Sequence, residues 1–230
     1  MEIAGLAPNS TVDYPGILAA VLFTSGCNMD CFYCHNRKLI NKTLELTAED
    51  TVFAFLQKRS GFLDGVVISG GEPTIQKDLV TFVGEIKRLG YKVKLDTNGS
   101  EPAVVQELLA GGLLDYVAVD YKAPWRRYKE ICNYVRTENV QKTLEVLKNS
   151  EISWEARTTM LPHITREEYI EMAREMFILP RYVINQYRIP EDFLEVDRPK
   201  MEVRPHSKDF LLGVEREIKS FQPNVILCGV

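Results

Sequence analysis

The chain has 230 residues, of which 28 are Lys or Arg and 32 are Asp or Glu, so its formal net charge is −4. Hydrophobic residues make up 45% and charged residues 26%, which excludes a disordered chain and a small scaffold that depends on disulfides. The slight excess of acidic residues gives no basic surface for nucleic acid. We therefore expect a globular protein of about one domain, over residues 1–230, without nucleic acid as a partner.

The N-terminal residues lack the basic and then apolar segments of a secretory signal. No apolar run approaches the ~20 residues that are needed to span a bilayer. The sequence thus predicts a cytoplasmic protein that does not associate with membranes.

Strand-like apolar runs alternate with amphipathic segments along the chain. The predicted strands are Ile17–Thr24, Val66–Ser69, Lys92–Asp96, Tyr116–Asp120, Ser153–Thr158 and Tyr182–Arg188, with a short apolar run at Val225–Cys228. The predicted helices are Ala48–Arg59, Gln76–Leu89, Pro102–Ala110, Thr137–Lys148, Arg166–Phe177 and Ser207–Ser220. Thr47 and Thr165 precede acidic first turns, so their hydroxyls are candidate helix caps. This alternation predicts an α/β fold with a mostly parallel sheet.

One segment, Arg188–His206, interrupts this pattern. It is rich in charge, contains three prolines and shows no clean periodicity, so we expect an extended loop. Long loops in compact domains often carry function. The segment is either a solvated connection or a docking site for a partner.

Three of the five cysteines, Cys27, Cys31 and Cys34, follow the first predicted strand with the spacing C-x3-C-x2-C. An odd count and close spacing argue for a metal centre rather than disulfides. Zinc and iron–sulfur clusters both bind thiolates. A structural zinc site needs a fourth ligand, for which His35 is badly placed, and only the fold could bring Cys132 or Cys228 near. A [4Fe-4S] cluster with three thiolates leaves one iron open for an external ligand.

These cysteines, with Tyr33 before the third, resemble the signature of the radical S-adenosylmethionine (SAM) enzymes. Gly70-Gly71-Glu72 after the second predicted strand is similar to the motif whose backbone contacts the SAM amino group in that family. The resemblance implies a laterally open, partial (βα)6 barrel of the TIM type. It also implies a [4Fe-4S] cluster on Cys27, Cys31 and Cys34, and reductive cleavage of SAM to methionine and a 5′-deoxyadenosyl radical.

Further motifs resemble the activating enzymes of glycyl-radical proteins, especially those of anaerobic ribonucleoside-triphosphate reductase. The motifs are Asp13-Tyr14-Pro15-Gly16, Cys34-His35-Asn36-Arg37 and Asp96-Thr97-Asn98-Gly99, and they cover the chain from about Ile3 to Lys122. This branch implies a protein substrate, a glycyl-radical enzyme, and an electron donor such as flavodoxin or ferredoxin.

The resemblance also assigns residues to the SAM site. Tyr33, Gly70, Gly71, Glu72, Asp96, Asn98 and Lys122 are the candidate SAM-binding residues. Where the resemblance thins, Arg157 on the fifth predicted strand and Gln186 or Arg188 on the sixth are further candidates at the barrel mouth, because a guanidinium binds a carboxylate as a planar donor. By analogy with the pyruvate formate-lyase activating enzyme, a monovalent cation on Asp96, Thr97 and Asp120 is also implied, and carboxylate and hydroxyl oxygens suit a hard cation.

Two other functions remain open at this point. The first is a radical SAM enzyme for a small molecule, such as a 7-carboxy-7-deazaguanine synthase-like enzyme. The second is a zinc-binding interaction module, which would leave Gly70, Gly71 and Glu72 without a purpose.

Overall fold

A computed structural model describes residues 1–230. Eight strands form one sheet in the order β1 to β8, and β1 and β8 are its two edges. The strands are β1 Ile3–Ser10, β2 Ala19–Thr24, β3 Gly65–Gly70, β4 Lys92–Thr97, β5 Tyr116–Asp120, β6 Ser153–Met160, β7 Tyr182–Gln186 and β8 Val225–Cys228. The sheet is open, and the predicted α/β class is confirmed.

The helices alternate with these strands. They are α1 Arg37–Ile40, α2 Glu49–Arg59, α3 Leu79–Arg88, α4 Pro102–Ala110, α5 Tyr128–Cys132, α6 Thr137–Lys148, α7 Arg166–Glu175, α8 Arg198–Met201 and α9 Lys208–Ile218. None of them is long and apolar enough to cross a bilayer. The strand β1 and the short helices α1, α5 and α8 were not predicted, because each is brief or lacks a clean apolar period.

The two predicted helix caps have different outcomes. Thr165 accepts a hydrogen bond from the Glu168 N–H, and the Glu168 side chain accepts one from the Thr165 N–H, which forms a complete capping box on α7. The predicted Thr47 cap is wrong, because α2 begins after Ala48 and has no side-chain cap. There, the acidic residues Glu49 and Asp50 of the first turn stabilise the helix N-terminus.

The chain forms two compact units, each made of several segments. The first unit contains residues 1–28, 36–118 and 138–153. In it, β2, β3 and β4 are parallel neighbours and β1 is antiparallel to β2. An apolar cluster of Tyr14, Ala19, Val21, Val67 and Tyr116 lies in this unit. Because β2, β3 and β4 are parallel, their C-terminal ends meet at one edge, where polar motifs follow each strand.

The second unit contains residues 29–35, 119–137 and 154–230. Its strands β6, β7 and β8 are parallel neighbours. Four tyrosines, Tyr121, Tyr128, Tyr169 and Tyr182, are among its fully buried side chains. Residues 188–206 belong to this unit and are not wholly extended as predicted. A helical turn at Glu195–Asp197 leads into α8, where Pro199 occupies the first turn and its fixed φ favours a helix start.

Candidate metal centre

The backbone between β2 and the cysteine loop is fixed by hydrogen bonds to three other segments of the chain. Ser25 N–H donates to the Glu2 carbonyl over 2.8 Å, and Gly26 N–H donates to the Leu39 carbonyl over 2.8 Å. The Gly26 carbonyl in turn accepts from the N–H of Glu72 over 2.8 Å. The position of the Cys27 backbone is therefore determined by contacts with Glu2, Leu39 and Glu72, all in the first unit.

Gly70 and Gly71 allow this close approach of backbone to backbone. A Cβ on Gly71 would lie 1.9 Å from the Gly26 carbonyl oxygen, and one on Gly70 would lie 2.3 Å from the Thr24 nitrogen. Gly70 also has φ +116°, where side chains are disfavoured. The sequence motif predicts that both glycines admit a ligand, whereas the structure gives a reason within the chain itself. Their contact with SAM stays a prediction.

Glu72 is fully buried and connects the motifs that follow β3 and β4. Its Oε2 accepts a hydrogen bond from Asn98 N–H over 2.6 Å, and its Oε1 accepts from the Thr97 hydroxyl over 2.7 Å. The Thr74 hydroxyl and N–H also donate to Oε1, over 2.5 and 3.0 Å. Burial raises the pKa of Glu72, and these donors oppose the shift. With four donors on its two oxygens, the carboxylate organises the loops rather than remaining available to a ligand.

Asn98 carries this network to the first cysteine. Its Nδ2 lies 3.9 Å from Cys27 Sγ and donates to Asn28 Oδ1 over 2.9 Å, while its Oδ1 accepts from Ser100 N–H over 2.9 Å. The amide is therefore oriented so that its N–H groups face the thiol and its neighbour. Hydrogen bonds to the sulfur ligands, and contacts with the side chains that orient those ligands, tune metal centres.

Cys31 lies in the second unit beside a cysteine that is distant in sequence. Asp30 N–H donates to the Cys132 carbonyl over 2.9 Å, which holds α5 against the cysteine loop. A hydrogen bond from the Cys132 thiol lowers the pKa of Cys31, and burial raises that of Cys132 well above its usual value. Cys132 thus donates its S–H to the Cys31 sulfur, and a thiolate is the form in which a cysteine ligates a metal.

Tyr33 and Phe32 lie between the second and third cysteines. Both are buried, their rings pack edge to face with centroids 5.4 Å apart, and burial raises the pKa of Tyr33 well above its usual value. Phe32 also packs edge to face with His163 at 4.9 Å, and Lys200 Nζ lies 4.8 Å from its ring centroid. The loop is therefore anchored by aromatic packing, and the role of Tyr33 in SAM binding stays a prediction.

Polar residues cluster where β5 ends. Asp120 is ion-paired with Lys122 at 2.8 Å and lies 3.5 Å from Arg157 on β6. Burial alone would lower the pKa of Lys122, but the ion pair with Asp120 is the largest opposing effect, and the pKa is raised well above its usual value. Lys122 and Arg157 are both cationic donors of the kind that bind an anionic group such as the SAM carboxylate.

The remaining cysteines differ in burial. Cys132 is fully buried, as predicted, but its contact with Cys31 was missed because nothing in the sequence links the two. Cys228 was predicted to be buried and is only partly so, since β8 is an edge strand. No group of three or more His, Cys, Asp or Glu side chains lies at the distances of a preformed metal site. The assignment of a metal centre to Cys27, Cys31 and Cys34 therefore depends on the type and spacing of these residues and on the similarity to known proteins.

The radical SAM superfamily profile matches residues 21–176 of the chain. A relative from Methanocaldococcus jannaschii, described as a candidate glycyl-radical enzyme activating enzyme, is 36% identical over 98% of this chain and 95% of its own length. The chain belongs to the radical SAM superfamily. It is therefore an enzyme of the radical SAM class, and the reading as a zinc-binding module is not supported.

Solved structures show the same fold. Streptococcus suis SuiB bound to S-adenosylmethionine superposes with TM-score 0.68 at 14% identity, over 89% of this chain and 48% of SuiB. This chain thus spans about half the length of SuiB. A domain of the pyruvate-formate lyase-activating enzyme from Bacteroides vulgatus superposes with TM-score 0.52 at 14% identity, over 72% of this chain and 99% of that domain.

Radical SAM membership implies a [4Fe-4S] cluster and SAM, and the residues present fit both. Three thiols follow β2 with the family spacing, Asn98 offers N–H donors to the first, and Cys132 offers a thiol donor to the second. The implied monovalent cation has no such support, because Asp96, Thr97 and Asp120 each have partners within the chain.

Proposed function

We propose that this chain is a glycyl-radical enzyme activase with an anaerobic ribonucleoside-triphosphate reductase as its partner. The observation that carries the proposal is the similarity to the M. jannaschii protein along almost the whole of both chains. The motifs around Asp13 and Asn36 favour an activase over a small-molecule enzyme, and the chain especially resembles the activating enzymes of the anaerobic reductase.

When bound, the reduced [4Fe-4S] cluster supplies one electron to SAM, which breaks the bond between sulfur and C5′ and gives methionine and a 5′-deoxyadenosyl radical. In this proposal Cys27, Cys31 and Cys34 hold the cluster. A flavodoxin or ferredoxin supplies the electron. A 5′-deoxyadenosyl radical formed there would take a hydrogen atom from the α-carbon of a glycine in the partner, giving 5′-deoxyadenosine and a glycyl radical.

The chain's own residues position these groups. The backbone after Gly70 and Gly71 offers polar atoms to the SAM amino group, and Lys122 with Arg157 offers cationic donors to the SAM carboxylate. Asn98 orients and hydrogen-bonds the Cys27 ligand. Glu72 acts indirectly, since its oxygens hold the loops that carry Thr74, Thr97 and Asn98.

The segment 188–206 is proposed as the partner-docking surface. Four of its apolar side chains are exposed, namely Ile189, Leu194, Val196 and Val203, and Val196 is 79% exposed. Lys200 lies over Phe32 of the cysteine loop, and Met201 accepts a hydrogen bond from the Tyr187 hydroxyl. A partner bound to the exposed side chains would therefore be held by a segment that contacts the cysteine loop directly.

The test uses the cluster-reconstituted enzyme with SAM, a reductant and a partner whose glycines carry deuterium at the α-carbon, without oxygen. We expect a glycyl radical signal in electron paramagnetic resonance and deuterium in the 5′-deoxyadenosine. C31A is the matched control and should give neither.

Radical formation on a different glycyl-radical enzyme, but not on the reductase, would overturn the choice of partner. Deuterium-free 5′-deoxyadenosine with every protein partner, together with turnover of a small molecule, would overturn the activase assignment. It would favour an enzyme of the 7-carboxy-7-deazaguanine synthase type.

A further inference from the structure

The implied monovalent cation would need oxygen ligands from Asp96, Thr97 and Asp120, and the structure shows what each of them contacts. The Thr97 hydroxyl donates to Glu72 over 2.7 Å and accepts from Gly99 N–H over 3.0 Å. In the second unit, Asp120 already has two cations near its carboxylate, Lys122 and Arg157. These two residues are therefore poor ligands for an additional cation.

Asp96 has a cationic partner on its own strand. Lys94 and Asp96 are two residues apart on β4, so their side chains project from the same face of the sheet. The Lys94 ammonium forms an ion pair with the Asp96 carboxylate, and the Lys94 side chain is only 1% exposed. The carboxylate is therefore neutralised by an ammonium that solvent hardly reaches.

The surroundings of Lys94 are apolar. Val67 is its register partner on β3 and belongs to the cluster with Tyr14, Val21 and Tyr116. The Lys94 ammonium lies 5.9 Å from the centroid of the Tyr116 ring, within range of a cation–π interaction. A charge in such surroundings is stable only when it is paired, so the ammonium has a strong reason to stay beside Asp96.

We propose that the Lys94 ammonium takes the place of a monovalent metal cation beside Asp96, so that SAM binding and cleavage by this enzyme require neither Na⁺ nor K⁺. The Lys94 ammonium and a bound Na⁺ or K⁺ would repel each other in one apolar site. Because the ammonium is covalently attached to the chain, it is the metal cation that would be excluded. This inference depends on the proposed function in one respect, namely that SAM binds near the C-terminal end of β4, where Asp96 lies.

The first test uses the wild-type, cluster-reconstituted enzyme. The Kd of SAM is measured in KCl, NaCl and tetramethylammonium chloride at equal ionic strength, and methionine and 5′-deoxyadenosine are counted without a partner. Thermal unfolding of the cluster-free protein is followed in the same salts. We expect the Kd to vary less than about twofold and the unfolding temperature to stay constant. A SAM Kd at least tenfold weaker in tetramethylammonium than in KCl would overturn the proposal.

The second test compares K94M with K92M. Lys92 lies on the same strand but is exposed, so K92M is the matched control and should behave like the wild type. K94M leaves Asp96 without its ammonium, so we expect SAM binding at least tenfold tighter in KCl than in tetramethylammonium, and stabilisation of the cluster-free protein by K⁺. K94M with wild-type affinity in every salt would overturn the proposal.

The double variant K94M/D96N removes both charges, so it leaves no unpaired carboxylate on β4. It allows thermal unfolding to be measured in the same salts if K94M alone does not fold. We expect its unfolding temperature to be independent of K⁺, and a K⁺-dependent unfolding temperature would count against the proposal. Failure of the SAM chemistry is distinguishable: no cleavage in any salt contradicts the proposed function, whereas cleavage that requires K⁺ contradicts only the role of Lys94.

Discussion

The Glu72 carboxylate accepts a hydrogen bond from the Asn98 N–H over 2.6 Å, and this contact joins two motifs that are 26 residues apart. The same carboxylate accepts from Thr97 and Thr74, and Asn98 in turn contacts Cys27. The geometry of the first cysteine therefore depends on a buried carboxylate that does not itself approach the sulfur.

Replacing Glu72 by Ala should destabilise the protein even without cluster or SAM. The donors on Thr74, Thr97 and Asn98 would lose a charged acceptor in a buried site, and such losses cost about 1–3 kcal/mol for each group. We expect a loss of at least about 3 kcal/mol in the free energy of unfolding, measured by urea denaturation of the cluster-free protein. E107Q, at an exposed position of α4, is the control. Unchanged stability of E72A would indicate a role limited to ligand binding.

Replacing Gly71 by Ala should disrupt the approach to the cysteine loop, because the new Cβ would collide with the backbone oxygen of Gly26. Gly84 is the matched control, since it lies inside α3 with open space around it. G84A should stabilise the protein by about 0.5–1 kcal/mol, as expected for Ala in a helix. G71A should lower the unfolding temperature and the iron content after reconstitution. Normal iron content in G71A would contradict the role assigned to this glycine.

The roles of Cys31 and Cys132 can be distinguished by iron and acid-labile sulfide analysis of variants after anaerobic reconstitution. C31A should lose iron, sulfide and SAM cleavage, because it removes a ligand. C132S should keep iron and sulfide, because Cys132 acts as a donor to Cys31 and not as a ligand. Zinc in place of iron, together with its loss in C132S, would instead indicate a four-cysteine zinc site.

Substitutions on the docking segment should separate SAM cleavage from activation of the partner. The double variant L194S/V196S removes two exposed apolar side chains and leaves Lys200 and Met201 in contact with Phe32 and Tyr187. We expect SAM cleavage without partner to be unchanged and the glycyl radical yield to fall at least tenfold. Ile178, also exposed in the second unit, provides the control I178S. Equal radical yields in L194S/V196S and I178S would mean that the segment is only a connection.

The stability of the chain should fall on acidification below about pH 6.5. Burial lowers the pKa of both His163 and His206, so the unfolded chain binds more protons than the folded one in this range. The contribution of these histidines to the free energy of unfolding is fully present above their pKa in the unfolded chain. It is lost as the pH falls through their lower pKa in the folded protein. The free energy of unfolding at pH 7.5 and 5.5 should differ less in H163N/H206N than in the wild type. An equal pH dependence in H163N/H206N would refute this assignment.

The α/β class, most element positions and the three cysteines with the cluster spacing were predictable from the sequence, because hydrophobic periodicity and motif spacing are local properties of the chain. Which groups meet was settled by the folded structure. It brought the Cys132 thiol to Cys31, made Glu72 an internal acceptor and paired Asp96 with Lys94. These outcomes depend on strand register, burial and charge in three dimensions. A motif that predicts a ligand by its spacing cannot show whether its oxygens are already occupied by the protein's own donors.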